Sequence, residues 1–269
     1  MTHTFAITNQ KGGVGKTTTS INVAASLAFN KKKVLFVDLD PQGNGTMGCG
    51  IEKNDCLLTM YDVLLGYTDI NQAKLYSESG RFDVLPSNAD LTAAEVELLQ
   101  VPNKEYALKN SLELVESNYD FILIDCPPSL NMLTVNAMAA SHGVIIPIQC
   151  EYFALEGLSA LMNTVAQVGQ ALNPKIVIEG LVRTMYDPRN SLTNQVSDQL
   201  KQHFGNRVYE TVIPRNVRLA EAPSHGEPIL SYDPQSKGSL AYLKLAEEIL
   251  KKTQGVFAPN ETRVSEETL

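Results

Sequence analysis

The chain has 269 residues, a formal net charge of -8, 43% hydrophobic and 19% charged residues. That composition excludes a chain disordered throughout, and no apolar run reaches the roughly 18 residues of a membrane span. The opening MTHTFAITNQ lacks a basic stretch followed by an apolar one, so no signal peptide is predicted and a cytoplasmic protein is expected.

In chain order, strands are predicted at 4–8, 34–38, 82–85, 121–125, 143–148, 176–183 and 208–211. Runs such as FILID and GVIIPI are continuously apolar, as suits strands buried on both faces of a parallel sheet. Helical patterns lie between them at 17–29, 104–116, 129–139, 156–171, 191–203 and 239–252. This alternation predicts an α/β domain over 1–252, a doubly wound, mostly parallel sheet flanked by helices. Residues 253–269 are polar and predicted to be a disordered tail.

The first strand runs into NQKGGVGKTTTS and then a helix. A glycine-rich turn between strand and helix is a phosphate cradle, in which backbone N–H groups and the helix N-terminus face the anion. Gly12, Gly13 and Gly15 permit close backbone approach, with Val14 between them. Lys16 would reach the β- and γ-phosphates, and the Thr17 hydroxyl would ligate Mg²⁺. The usual G-x-x-x-x-G-K-[ST] pattern fails at its first position, where Gln10 stands, and a second lysine, Lys11, follows it. The plain alternative is a solvent-facing Gly/Lys turn.

Two later strands end in acid. VLFVDLDPQGN ends in Asp38 and Asp40, and FILIDCPPS ends in Asp125. Ligands of open parallel sheets sit beyond the carboxyl ends of the strands, so all three carboxylates are expected beside the cradle. An acid after an apolar strand can hold Mg²⁺ or its water. The plain alternative for each is an Asp capping the following turn.

Cys49, Cys56, Cys126 and Cys150 form no CxxC pair and only four His are present. Buried or partly buried thiols are expected, not a zinc site or disulfides. Charge is uneven: residues 1–180 carry -8, 181–252 carry +2 and 253–269 carry -2. A modest nucleic-acid face in 181–252 is compatible with this; a strong constitutive one is not.

KGGVGKTT at 11–18, DLDPQGN at 38–44 and IDCPPS at 124–129 resemble the ParA/MinD group of deviant Walker A P-loop ATPases. TMYDPR at 184–189 and VIPRNVRLAEAPSHGEPILSYDPQSKG at 212–238 resemble its chromosomal ParA (Soj) branch. The resemblance covers residues 1 to about 252, with its blocks in family order. It implies a slow ATPase whose ATP-bound homodimer sandwiches two nucleotides. Lys11 then reaches the partner's phosphates, Lys16 and Thr17 make the phosphate and Mg²⁺ contacts in the same subunit, and Thr18 lies near the α-phosphate. Asp40 positions the attacking water, Asp125 is the Walker B acid, and Pro214, Arg215 and Asn216 border the adenine. The branch binds double-stranded DNA without sequence preference, at positions matching Arg189 and Arg218, with Lys237, Lys244, Lys251 and Lys252 as further candidates. The alternative for these is a set of surface cations, Arg215 and Arg218 pairing with Glu221 or Glu227. A ParB-like centromere-binding partner and nucleoid association are also implied.

Three rival readings fit less well. A MinD-like ATPase works on membranes through a basic amphipathic C-terminal helix, whereas TQGVFAPNETRVSEETL has three Glu against one Arg and no apolar stripe. A nitrogenase iron-protein type needs a second interfacial cysteine besides Cys126. A P-loop scaffold that binds ATP without cleaving it fits poorly with Asp40 and Asp125 together.

Overall fold

The computed structural model describes residues 1–255. Its strands are β1 (His3–Ile7), β2 (Val34–Asp38), β3 (Leu75–Ser77), β4 (Phe82–Leu85), β5 (Phe121–Asp125), β6 (Gly143–Gln149), β7 (Val177–Tyr186) and β8 (Val208–Pro214). They form one sheet in the order β3-β4-β2-β5-β1-β6-β7-β8. Every pair is parallel except the edge hairpin β3–β4. The longer helices are α1 (Lys16–Phe29), α2 (Leu91–Glu97), α3 (Ala107–Glu113), α4 (Met132–Ala140), α5 (Ala154–Ala171), α6 (Ser191–Phe204) and α7 (Lys237–Thr253).

Alternation along each central strand feeds two cores, because successive side chains leave opposite faces of a sheet. Phe5, Ile7, Val34, Phe36, Phe121 and Leu123 pack with Ile21 and Leu27 of α1 and with Tyr242, Leu245 and Ile249 of α7. Ala6, Leu35, Val37, Ile122 and Ile124 pack on the other face with Leu91 of α2, Leu108 of α3 and Leu133 of α4. Beyond β1, Val144, Ile146 and Leu181 meet Leu161 of α5 and Leu200 of α6. Both faces are covered, which is why these strands read as unbroken apolar runs.

Most predicted bounds shift by one to three residues, among them those of three helices. The helix expected at 104–116 is broken into a tight turn at Lys104–Tyr106, then α3, then a turn at Glu116–Asn118. Asn136 causes the first break: its side chain accepts from the Leu108 N–H (3.1 Å) and donates to the Lys104 carbonyl (2.9 Å). The helix expected at 129–139 begins at Met132, because Asn131 caps it by accepting from the Thr134 N–H (3.1 Å). The last helix runs one residue into the predicted tail, to Thr253, and residues 256–269 lie outside the described residues. Edge strand β3 was not predicted. Among the described residues no helix is long and apolar enough to cross a membrane. The four cysteines are free, with Cys49, Cys126 and Cys150 buried.

Candidate nucleotide site

The loop between β1 and α1 closes on Gly15, the α1 N-cap, whose φ of 84° is a left-handed conformation that a side chain would strain. The Gly15 carbonyl accepts the first helical bond, from Thr19 N–H (2.9 Å). Among the described residues, no backbone N–H of 15–18 donates to a backbone acceptor, just after the turn at Gly12–Gly13. Such a row of unmatched donors ahead of a helix N-terminus is an anion cradle. Asn9 fixes the loop's entry: Oδ1 accepts from Lys11 N–H (3.0 Å) and Nδ2 donates to the Pro147 carbonyl on β6 (2.8 Å).

The two loop lysines differ in placement. Lys16 is 7% exposed, and its ammonium donates to the Lys11 carbonyl (3.2 Å). Burial lowers its pKa, opposed by the negative charges of Asp125 and Asp40. The Lys11 side chain is 45% exposed and ion-paired with Glu151, just beyond the end of β6.

Asp38 and Asp125 stand in register on adjacent strands, and Asp125 is in register with Ile7 at the end of β1. Asp38 is fully occupied. Its Oδ2 accepts from the N–H and the hydroxyl of Thr46 (2.7 Å each), and its Oδ1 from Asp40 N–H (3.2 Å). The turn-capping alternative therefore holds for Asp38. A side chain at Gly45 would come within 2.9 Å of this carboxyl, so the tight approach requires glycine there. Asp125 accepts from the Ser20 hydroxyl on Oδ1 (2.8 Å), while its buried Oδ2 has no partner among the described residues. Burial first, and then the Asp38 charge, push Asp125 up to about 8, while the hydroxyls of Thr17 and Ser20 oppose the rise. Burial likewise pushes Asp38 up to about 6. A buried carboxylate oxygen without a partner, next to a threonine hydroxyl at an anion cradle, fits a hard divalent cation. Thr17 and Asp125 are the residues that would hold Mg²⁺. Asp40 is partly exposed, its Oδ1 accepting from Gln42 N–H (2.9 Å) and its carbonyl from the Ser87 hydroxyl (2.8 Å).

Beside the loop lies a cavity of about 370 Å³, lined by Gly15, Thr18, Met185, Pro214, Arg215 and Asn216 among others. The structure thus brings the predicted 214–216 segment against the phosphate loop.

The cations proposed for DNA are more dispersed. Arg189 is exposed but paired with Asp187 (2.8 Å). Arg218 pairs with Glu221 (2.9 Å) and Asp233 (3.6 Å), so the Glu221 pairing offered as its alternative is present. Lys237, Lys244 and Lys251 are exposed, seven residues apart on α7. Lys252 turns inward: its ammonium lies 4.2 Å from the Tyr209 ring centroid and donates to the Glu179 carbonyl (3.1 Å). Burial outweighs the Glu179 and Glu248 charges in lowering its pKa, and it is not a free surface cation.

Sequence reading missed Ser20, Thr46, Glu151 and Thr184. Ser20 lies four residues after Lys16 on α1, a spacing that could have flagged it. Thr46 opens no recognisable signal beyond its place after DLDPQGN. Glu151 lies two residues past the end of β6 and Thr184 two residues before the end of β7, so the strand-end rule that found Asp38 and Asp125 passes both by.

A protein-family profile described as an AAA domain matches residues 2–178. The sporulation initiation inhibitor protein Soj of Bacillus subtilis is 54% identical over 245 residues, 91% of this chain and 97% of that one. The chromosome partitioning protein ParA of Caulobacter vibrioides is 52% identical over 250 residues, 92% of this chain and 94% of that one. Cobyrinic acid a,c-diamide synthase from Mycobacterium smegmatis, with bound ADP and magnesium, superposes with a TM-score of 0.84 at 35% identity, over 95% of this chain and 97% of that one. The septum site-determining protein MinD of Pyrococcus horikoshii, complexed with Mg-ADP, is more distant at 27% identity and a TM-score of 0.78, over 95% and 98% of the two chains. With its unmatched N–H row, its paired lysines and these relatives, the chain belongs to the ParA/MinD family of P-loop ATPases, in the ParA/Soj chromosome-partitioning branch.

Proposed function

We propose that the chain is an ATP-driven DNA-partitioning switch that hydrolyses ATP to ADP and phosphate. The observation that carries this reading is the contrast between its lysines: Lys16 is enclosed at its own cradle, whereas the Lys11 ammonium is half exposed and, among the described residues, held by one exposed ion pair. A cation so placed can serve a nucleotide held by a second subunit. Two subunits would then face each other across two ATP molecules, and each active site would be complete only in the dimer.

The residues divide the work. Backbone N–H groups of 12–18, with Lys16 and Thr18, bind the phosphates, and Pro214, Arg215 and Asn216 border the base. Thr17 and Asp125 hold Mg²⁺, which when bound supplies charge neutralisation at the phosphates. Asp40 aligns the attacking water. Lys11 from the partner adds positive charge near the transferring oxygens, so loss of the γ-phosphate removes a dimer contact. The ATP dimer binds double-stranded DNA through phosphates, using Lys237, Lys244 and Lys251 with Arg189 and Arg218. Dimerisation doubles an otherwise weak basic face. Turnover alone would fall below the enzyme median of about 10 per second, and a ParB-like partner would raise it. The protein would act in the cytoplasm, on the nucleoid.

Sedimentation with ATP, ADP or no nucleotide, alongside phosphate release, tests this. A dimer with ATP only, abolished in Lys11→Ala, is expected. An ATP dimer unaffected by Lys11→Ala overturns the sandwich.

A further inference from the structure

The C-terminal end of β7 bonds to α6, to β8, to the phosphate loop and to the 214–216 segment. Arg183 is 3% exposed; its guanidinium donates to the Ser197 hydroxyl on α6 (2.8 Å) and to the Tyr209 and Glu210 carbonyls on β8 (2.7 and 2.9 Å). Thr184 is 2% exposed, and its hydroxyl donates to the Val14 carbonyl in the phosphate loop (2.8 Å). Met185 lines the base-side cavity with a φ of 49°, a left-handed conformation unusual for a long side chain. The Tyr186 carbonyl accepts from Arg215 N–H (3.3 Å), and its hydroxyl donates to Asn194 Oδ1 on α6 (2.8 Å). Pairing of β7 with β8 is irregular on both sides of Arg183.

Of these contacts, the one between Thr184 and Val14 bears on the nucleotide. A trans peptide is a rigid plane whose C=O and N–H point in opposite directions. Anchoring the Val14 carbonyl on Thr184 therefore turns the Gly15 N–H of the same peptide the other way, away from the Thr184 hydroxyl. The far side of Gly15 is fixed as well, since its carbonyl accepts from Thr19 N–H (2.9 Å). The Thr184 side chain also lies 3.9 Å from where a Gly15 Cβ would stand, so its methyl backs the glycine. The free left-handed rotation of Gly15 is thereby confined to one orientation.

We propose that Thr184 is a positioning residue for nucleotide binding: it orients the Gly15 N–H toward the phosphates, and links the loop through β7 to α6 and the 214–216 segment. This rests on the reading of the 11–18 loop as the nucleotide site. An N–H held in place before the ligand arrives binds ground state and transition state alike, so its loss raises KM and leaves kcat.

The test compares Thr184→Val, which keeps the shape and loses the donor, with Thr184→Ser, which keeps the donor and loses the methyl. Fluorescent ADP titration is expected to show Thr184→Val weakened about five- to thirtyfold, the equivalent of one buried hydrogen bond. Thr184→Ser should bind within about threefold of the parent. Basal ATPase of Thr184→Val should show a raised KM with kcat within about twofold. All titrations are run well below the melting temperature of each nucleotide-free variant, so that lost stability does not pass for lost affinity. Thr184→Val binding ADP like the parent, or Thr184→Ser as weak as Thr184→Val, overturns the proposal. Lys16→Ala is run in parallel. If it loses ADP while Thr184→Val does not, only the role of Thr184 fails; if Lys16→Ala binds ADP normally, the nucleotide-site reading fails with it.

Discussion

Lys11 is ion-paired with Glu151 of its own subunit, 140 residues further along the chain. The pair joins the phosphate loop to the end of β6, and both side chains are nearly half exposed. Exposed pairs contribute about 0–1 kcal/mol. Glu151 is therefore a light restraint that ATP can overcome. Glu151→Gln is expected to tighten the ATP-dependent dimer by up to about fivefold in sedimentation equilibrium. A weaker dimer would mean that Glu151 serves the partner's nucleotide instead of restraining Lys11.

The buried carboxyls make the nucleotide-free protein sensitive to base. Asp38 is pushed up to about 6 and Asp125 to about 8, burial being the first cause in both. Their unfolded values lie near 4. The folded state thus favours the protonated forms. That contribution is complete below the unfolded pKa and is lost as pH rises through about 6 and then about 8. The melting temperature without nucleotide is expected to fall from weakly acidic to weakly basic pH, and Asp125→Asn should flatten the upper part of the fall. A melting temperature that rises over that range would refute the assignment.

Thr46 satisfies Asp38 twice and also accepts from Ser87 N–H (2.9 Å). Thr46→Val keeps the volume and removes the hydroxyl from both partners. A loss of about 1–3 kcal/mol in chemical denaturation is expected. A cost below about 0.5 kcal/mol would mean that solvent reaches Asp38 in the variant.

Lys237, Lys244 and Lys251 should act differently from Lys252. Replacing any of the first three by Gln is expected to weaken DNA binding and to lower the slope of log affinity against log salt by about one for each phosphate no longer neutralised. Lys252→Gln should leave that slope alone and cost about 0.5–2 kcal/mol of stability, through its contact with the Tyr209 ring. A salt slope that changes for Lys252→Gln and not for the other three would reverse the assignment.

The sheet was legible because its central strands are buried on both faces and leave unbroken apolar runs. The phosphate loop, Asp125 and the 214–216 segment were legible because they lie at strand ends or match family blocks. Edge strand β3 was not, since Leu75 and Tyr76 are exposed and the strand is only three residues long. The break at 104–116 was hidden because Asn136, which makes it, lies about thirty residues away in sequence. Glu151 and Thr184 escaped for the same reason: each acts on the loop from across the sheet, at β6 and β7, and no local pattern encodes that contact. The inward turn of Lys252 follows from the position of Tyr209 on β8, which spacing on α7 alone could not reveal.

The most direct test is retention on non-specific duplex DNA with ATP, ADP or no nucleotide, at two salt concentrations, for the parent, Lys11→Ala and Asp40→Ala. Retention is expected with ATP alone, weakened by salt, lost in Lys11→Ala and kept in Asp40→Ala, in which hydrolysis is impaired but the ATP dimer still forms. An ATP dimer that forms normally and does not bind DNA would contradict it.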